Sequence, residues 1–312
     1  MLSDFLAKNK LSTKDWSVVR AAFEIDTVVE SNEAYDNSNF LVFLKGGRKY
    51  SCKIKSLKNL KGVESEVSIV DFLEVNGFPV SKFLKTINGK EFLVLNNRIF
   101  CFYEVIEGSH FSGSVAECKG AAEFLAKMHS VGKTFNALNS VIFPDFTDFS
   151  NVILDLNKSK YEVIFEAIEL VQGSNLNYSV LEKTLIHGDF HPGNLKFLNS
   201  KVSGVLDFDL SRVDSKAYDV AWAFRTFGAE ADWKKTGGID LALGLVFLKK
   251  YQQINALNPN EISLFPELLL CRYIILMHWL WKNDLNYETG VKCIKWLLTN
   301  AQRVKAFLKD NL

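Results

Sequence analysis

The hydrophobic pattern of this 312-residue chain changes its period near Gly108. After Gly108, apolar residues recur at helical spacing in long stretches such as VAECKGAAEFLAKMHSVG and LALGLVFLKKYQQI, which predict helices. Before it, runs rich in aromatic and branched residues predict strands: NFLVFLKGG from Asn39, RKYSCKIKS from Arg48, FLKTI from Phe83, EFLVL from Glu91 and IFCFYEVIEG from Ile99. The change predicts an α+β protein, with a small sheet over residues 1–104 and a larger helical part over residues 105–312.

Two local signals organise the strand-rich part. Gly46 and Gly47 separate the first two strand-like runs and predict a tight hairpin between them. One helix is expected in ESEVSIVDFLEVNG, where Val67, Val70 and Leu73 have helical spacing and Gly77 ends the pattern. We therefore expect an antiparallel sheet accompanied by one helix.

Composition narrows the range of partners. The chain has 37 Lys and Arg against 36 Asp and Glu, which gives a formal net charge of +1, so we expect neither nucleic acid nor a membrane as a partner. Its five Cys are scattered without a C-x-x-C pair, as is typical of reduced thiols in the cytoplasm. No apolar run approaches the roughly 20 residues that a membrane span needs. A cytoplasmic protein is predicted, and the oligomeric state stays open.

The residues with the clearest chemistry lie between 186 and 219. Asp189 and Asn194 lie in a stretch that Pro192 and Gly193 keep from being helical. Two strand-like runs, LKFL and VSGVL, then form a predicted hairpin that returns Asp207 to the same end. Carboxylate and amide oxygens suit Mg²⁺, and an acid that does not bind the metal can accept a hydroxyl proton.

These residues resemble the motifs of a known superfamily. HGDFHPGN, from His187, resembles the H-G-D-x-x-x-x-N catalytic loop of the aminoglycoside phosphotransferase and choline kinase superfamily, and LDFD, from Leu206, resembles its counterpart of the kinase D-F-G motif. The run AYDVAWAF, from Ala217, is similar to the helix that follows. The resemblance implies a protein-kinase-like fold with two lobes: a small antiparallel-sheet N-lobe with the ATP-phosphate loop and lysine, and a larger helical C-lobe with the catalytic loop, metal site and acceptor pocket.

The resemblance assigns roles within the C-lobe. Asp189 corresponds to the catalytic base that orients the acceptor hydroxyl, and Asn194 and Asp207 correspond to the Mg²⁺ ligands. Asp209 is either an aid to a second Mg²⁺ or a solvated loop acid. The expected structural supports of the loop are His187, through its hydrogen bonds, and Asp219, as an acceptor from the loop backbone.

The resemblance also assigns roles in the N-lobe. Lys53 corresponds to the lysine that binds the α- and β-phosphates of ATP, with Lys55 as the alternative on the same strand face. Glu66 corresponds to the helix glutamate that pairs with this lysine, and Glu64 competes for that role.

The remaining nucleotide contacts are backbone groups. The segment SNEAYDNSN, expected to cover the phosphates, contains no glycine, so Asn37 and Ser38 are the candidates for donating N–H groups. The linker that contains Tyr103 and Val105 would contact the adenine through its backbone.

The last predicted helices contain the candidate contacts to the acceptor. Residues 261–312 carry 7 Lys or Arg against 5 Asp or Glu, which does not suit a polycationic aminoglycoside. Arg272 and His278 share one helical run and are candidate substrate contacts, with Lys282 nearby. The layout is similar to that of type II homoserine kinases and also resembles bacterial stress-response Ser/Thr kinases. Homoserine, an aminoglycoside, choline, a sugar and a protein hydroxyl all stay open as acceptors.

The expected activity is transfer of the γ-phosphate of ATP, with Mg²⁺, to a hydroxyl of a small molecule, with homoserine or another amino alcohol as the candidate acceptor. The alternatives are a Ser/Thr protein kinase of the same fold and a non-catalytic nucleotide-binding scaffold. The glycine-free phosphate segment favours the scaffold, whereas the combination of Asp189, Asn194 and Asp207 favours an enzyme.

Overall fold

A computed structural model describes residues 5–7, 9–30, 40–136, 148–156, 161–174 and 176–312. Among them two compact units are distinguished. The first takes the described residues up to His110 together with Gly193–Asp209, and the second takes the rest. These units differ from the predicted lobes of residues 1–104 and 105–312, whose ranges stay a prediction. Within the described residues, no helix is both long and apolar enough to cross a membrane.

The strands and helices of the described residues are numbered in chain order. The strands are β1 (Ile25–Glu30), β2 (Phe40–Leu44), β3 (Lys49–Ser56), β4 (Phe92–Leu95), β5 (Arg98–Glu104), β6 (Lys183–Ile186), β7 (Leu195–Leu198), β8 (Lys201–Val205) and β9 (Arg212–Ser215). The helices are α1 (Thr13–Phe23), α2 (Leu60–Val75), α3 (Val115–Gly132), α4 (Ser150–Asp155), α5 (Glu162–Gln172), α6 (Lys216–Phe227), α7 (Trp233–Thr236), α8 (Leu241–Gln252), α9 (Pro259–Ser263), α10 (Phe265–Lys282) and α11 (Glu288–Asn311). The predicted α+β class is confirmed.

The first unit is built on a five-stranded antiparallel sheet with the order β1-β2-β3-β5-β4. Gly46 and Gly47 form the predicted turn between β2 and β3, with φ of 96° and 84°, a region that glycine enters without a steric penalty. Alternation along β2 buries Phe40 and Val42. These side chains join a core with Trp16 and other apolar residues of α1, so the sheet has one packed face.

A short hairpin belongs to the same unit. β7 and β8 pair through Leu195 and Val205, and their turn has Asn199 and Ser200 at φ of 51° and 61°. Both residues are left-handed, as a two-residue hairpin turn with the right twist requires. Val205 also forms a bridge with Val80, which attaches the hairpin to the rest of the first unit.

The second unit is mostly helical. Its helices include the run predicted from Val115, which begins after Ser114, whose side chain accepts a hydrogen bond from the backbone N–H of Glu117. One two-stranded sheet joins β6 to β9 in antiparallel register. This pairing places His187, directly after β6, beside Ser211, directly before β9.

One predicted strand is wrong. In FLKTI, Phe83 makes only an isolated bridge to Tyr103, and the backbone N–H of Leu84 donates to the carbonyl of Phe102. The chain then turns at once, because the Thr86 N–H donates to Lys90 O and the Gly89 N–H donates to Thr86 O. Two backbone contacts followed by a turn are too few to extend a strand.

Candidate active site

The loop that carries Asp189 is held tightly at its backbone. Gly188 precedes it with φ of 80°, and a Cβ there would lie 2.2 Å from the carbonyl oxygen of Leu210, so no other residue fits without a shift. Asp219, in the first turn of α6, accepts from the N–H groups of His187 (2.9 Å) and Gly188 (3.0 Å). The carboxylate of Asp219 therefore holds the backbone of the loop. In addition, the His187 ring accepts a hydrogen bond from the Asp189 N–H at 3.2 Å.

Asp219 is itself part of a buried network. His129 Nε2 lies 3.2 Å from its Oδ2, and His129 Nδ1 lies 2.8 Å from the hydroxyl of Tyr251. Burial raises the pKa of the Asp219 carboxyl. The hydrogen bond from His129, together with the imidazole and the backbone N–H of His187, outweighs this effect and holds the pKa below its usual range. The carboxylate is therefore charged at neutral pH.

Phe190 anchors the other side of Asp189. Its side chain is fully buried and lies among the rings of Phe124, Phe227 and Phe247, with centroids 6.0 to 6.4 Å apart. These rings come from α3, α6 and α8, so three helices fix the residue that follows Asp189. Asp189 thus lies between two fixed points of the second unit.

The Asp189 carboxylate has strong donors around it. Arg272 Nη2 donates to Oδ1 at 2.7 Å and Trp222 Nε1 donates to the same oxygen at 3.0 Å. His191 Nε2 lies 3.7 Å from Oδ2. The Asp189 side chain keeps 29% exposure, so it is rigid and still reachable from solvent.

The two candidate substrate contacts on α10 differ in the structure. Arg272 lies on Asp189 and also donates to the carbonyl of Gly188 at 2.8 Å. His278 lies 2.8 Å from Asp155 of α4 and stacks on Trp281. Both residues therefore have partners within the second unit.

In the first unit, the hairpin brings Asn194 and Asp207 to neighbouring positions. The N–H of Leu206 donates to the carbonyl of Asn194 at 2.8 Å, because β7 and β8 pair up to the point where these residues flank them. Asp207 adopts a left-handed conformation with φ of 63°, which Asp tolerates better than most residues. An amide and a carboxylate thus lie on adjacent chain segments.

Two lysines of β3, Lys53 and Lys55, form ion pairs with nearby carboxylates. We expected Glu66 to pair with Lys53, but Glu66 Oε2 accepts from Lys55 Nζ at 2.8 Å, and Lys53 Nζ lies 3.0 Å from Asp207. Lys55 also donates to Asp209, and Lys53 lies 3.7 Å from it. Residues two apart on a strand share a face, and Lys55 is the one that lies next to α2. Glu66 is buried, whereas its competitor Glu64 is exposed.

The neighbouring carboxylates determine the direction in which the pKa values of Lys53 and Lys55 shift. Burial lowers the pKa of Lys53, but the carboxylates of Asp209, Asp207 and Glu66 outweigh it and raise that pKa. For Lys55 the same opposition holds, and Glu66 and Asp209 raise its pKa. Both ammonium groups therefore stay charged.

Several polar groups of the linker that was expected to contact the adenine form hydrogen bonds within the protein. The Glu104 N–H donates to Lys82 O and its carbonyl accepts from Ser81. The Val105 N–H donates to Lys49 O at 3.4 Å, and the Tyr103 hydroxyl donates to Glu66 at 3.1 Å. Asn37 and Ser38, the candidates for phosphate contacts, lie outside the described residues.

Sequence reasoning missed the contact of Trp222 with Asp189. Tyr218 and Trp222 are one helical turn apart on α6, and both lie against Arg272, with ring centroids 6.0 and 4.8 Å from its guanidinium carbon. The run AYDVAWAF carried this signal, because positions four apart face the same side of a helix.

The family model described as "Phosphotransferase enzyme family" matches residues 27–246. The chain belongs to this family. A homoserine kinase of Rhizobium meliloti (strain 1021) is similar to this phosphotransferase, with 25% identity over 90% of this chain and 92% of the relative. A homoserine kinase of Zymomonas mobilis is 26% identical, over 80% of each chain.

Solved structures of kinases share the fold. An amicoumacin kinase in complex with AMP-PNP and Ca²⁺ has a TM-score of 0.74 at 14% identity, covering 98% of this chain and 96% of that chain. A microcompartment-associated aminopropanol kinase has a TM-score of 0.69 at 14% identity, covering 95% and 98%. The predicted kinase-like α+β fold is confirmed. The chain is therefore an enzyme of the phosphotransferase family, and its relatives in sequence and fold are named kinases.

Proposed function

We propose that this phosphotransferase transfers the γ-phosphate of ATP to the hydroxyl of a small amino alcohol, with homoserine as the first acceptor to test. The similarity to homoserine kinases along nearly the whole chain supports this acceptor. The shared fold with the aminopropanol kinase agrees with it. The balance of 7 Lys or Arg against 5 Asp or Glu in residues 261–312 does not favour a polycation.

The observation that carries the proposal is the geometry of Asp189. Its carboxylate is partly exposed, yet the residues on both sides of it are fixed. Asp189 would orient the acceptor hydroxyl and accept its proton as the oxygen bonds to phosphorus and the bond to the ADP oxygen breaks. In phosphoryl transfer the protein supplies positioning and charge neutralisation more than covalent chemistry.

The donor set fits a magnesium ion. Asn194 and Asp207 offer an amide and a carboxylate oxygen on adjacent segments, and Mg²⁺ is usually bound by one or two protein ligands together with phosphate oxygens and water. These two residues would hold the ion, with Asp209 as a candidate for a second one. When bound, Mg²⁺ neutralises charge on the transferring phosphate.

The remaining roles in ATP binding are proposed for the first unit. Lys53 and Lys55 would bind phosphate oxygens, and the buried Glu66 would hold Lys55 in place. The backbone around Tyr103 and Val105 would contact the adenine. Asn37 and Ser38 stay predicted donors to the phosphates.

A coupled assay of ADP release tests the proposal. Mg·ATP is offered with homoserine, 3-amino-1-propanol, choline, kanamycin or a generic protein. We expect stimulation by homoserine, and a loss of kcat of about 10²- to 10⁴-fold in Asp189→Ala, the range that a catalytic acid or base contributes.

The control is Asp310→Ala, which removes an exposed carboxylate from α11. It should keep wild-type turnover, and thermal shift with ATP should show that Asp189→Ala still folds and binds nucleotide. Wild-type turnover in Asp189→Ala would contradict the assignment of Asp189 as the catalytic base. Stimulation by another acceptor alone would replace homoserine, and nucleotide binding without turnover on any acceptor would favour the non-catalytic scaffold.

A further inference from the structure

The Asp189 carboxylate is held by side chains from two helices. Arg272 of α10 and Trp222 of α6 both donate to its Oδ1, at 2.7 and 3.0 Å. Two donors that converge on one oxygen restrain rotation of the carboxylate about its last bond. We propose that Arg272 and Trp222 are positioning residues that fix the orientation of Asp189. The inference rests on the catalytic role proposed for Asp189.

Arg272 is built into the second unit as a bridge. Its Nη1 donates to the carbonyl of Gly188 at 2.8 Å and to the hydroxyl of Tyr218 at 3.2 Å, while its Nη2 donates to the carboxylate of Asp189. The guanidinium stacks on the ring of Trp222. One planar group thus fixes both the loop backbone and the carboxylate. The single ammonium of a lysine cannot reproduce this fork.

This role differs from the substrate contact expected from the sequence. The Nη1 and Nη2 donors of Arg272 are directed to Asp189, Gly188 and Tyr218 within the protein. If Arg272 instead bound the carboxylate of homoserine, only acceptors that carry a carboxylate would depend on it. A positioning residue affects every acceptor, because each one reacts through Asp189.

Kinetics with two acceptors separate these roles. Homoserine and 3-amino-1-propanol differ by one carboxylate. We expect Trp222→Phe, which keeps an aromatic ring but loses the N–H, and Arg272→Lys to lower kcat by roughly 10- to 100-fold with either acceptor, the cost of a small misplacement of a reacting group. KM for ATP should change by less than about twofold. A rise in KM for homoserine alone would overturn positioning by Arg272, and unchanged kcat in Trp222→Phe would overturn it for Trp222.

The chain offers a matched control pair. Arg225 stacks on Trp233 with its guanidinium carbon 5.2 Å from the ring centroid, and it donates to Gly237 O and Cys293 Sγ. Trp233→Phe and Arg225→Lys change the same residue types within the same unit. Both should keep wild-type kcat. Losses equal to those of Trp222→Phe and Arg272→Lys would mean a general effect on packing and would overturn the inference.

An NMR spectrum tests the two donors to Asp189 without a measurement of enzyme activity. In protein labelled with ¹⁵N at its tryptophans, the indole N–H signal of Trp222 is assigned by its loss in Trp222→Phe. We expect this signal to shift in Asp189→Asn and Arg272→Lys, while the Trp233 signal stays in place. An unmoved Trp222 signal would overturn the inference. If wild-type protein uses none of the acceptors, the proposed function fails while this result still decides on the donor pair.

Discussion

At the scale of the residue, Asp219 shows how a buried charge organises the loop that carries Asp189. Its Oδ1 accepts from Gly188, and its Oδ2 accepts from His187 and contacts His129. Asparagine has only one acceptor oxygen, so Asp219→Asn would leave at least one of these buried N–H groups unpaired. We expect this change to lower the free energy of unfolding by about 3 kcal/mol at neutral pH, measured by urea denaturation.

The same carboxylate predicts a dependence on pH. Because the folded pKa of Asp219 is lowered below its usual value, its contribution to stability is present above the unfolded pKa of about 4 and is lost as pH falls through the folded pKa. The difference in stability between wild type and Asp219→Asn should narrow as the pH falls below about 4. Asp310→Asn serves as the control. A difference that grew in acid would contradict the expectation.

Candidate site residues can be selected from the sequence when their neighbours in the chain define them. Asp189 and Asn194 lie in HGDFHPGN and Asp207 lies in LDFD, so two short motifs were enough to select them as candidates. The contact of Arg272 with Asp189 joins residues 83 positions apart, and no local pattern encodes it. The choice between Lys53 and Lys55 was undecidable for another reason: both lie on one strand face, and only the position of α2 separates them.

At the scale of the element, termini with clear signals were predictable. α3 runs over Val115–Gly132, which is the stretch selected from the sequence, because Ser114 caps it. β6 and β9 were missed, since each has four residues and their partners are distant in the chain. α1 and β1 were not predicted either, although α1 has a capping box at Ser12.

The hairpin of β7 and β8 gives a prediction for an element. Ser200 has φ of 61° and is exposed in the turn that returns the chain toward Asp207. Glycine adopts this region without the clash of a Cβ, so Ser200→Gly should raise the free energy of unfolding by about 0.5 kcal/mol. Ser200→Val should lower it. Thermal unfolding of both variants measures the order, and the reverse order would contradict the turn geometry.

At the scale of the whole molecule, charge balance limits which acceptors can be attracted over long distances. The 37 basic and 36 acidic residues leave a formal net charge of +1, so the chain provides no net negative field that would steer a polycation. Homoserine carries one positive and one negative group, and its encounter with such a protein depends little on salt.

This balance predicts how the rate responds to ionic strength. Between about 50 and 200 mM salt, kcat/KM for homoserine should change by less than about twofold, because screening has little net attraction to weaken. Kanamycin, a polycation, should show no gain at low salt and a kcat/KM well below that of homoserine. A steep rise in kcat/KM for kanamycin as salt is lowered would reveal a local acidic surface and move the acceptor class from amino alcohols to aminoglycosides. Because ADP release is measured for both acceptors in one buffer series, an effect of salt on ATP binding would appear in both and can be separated from an effect on the acceptor.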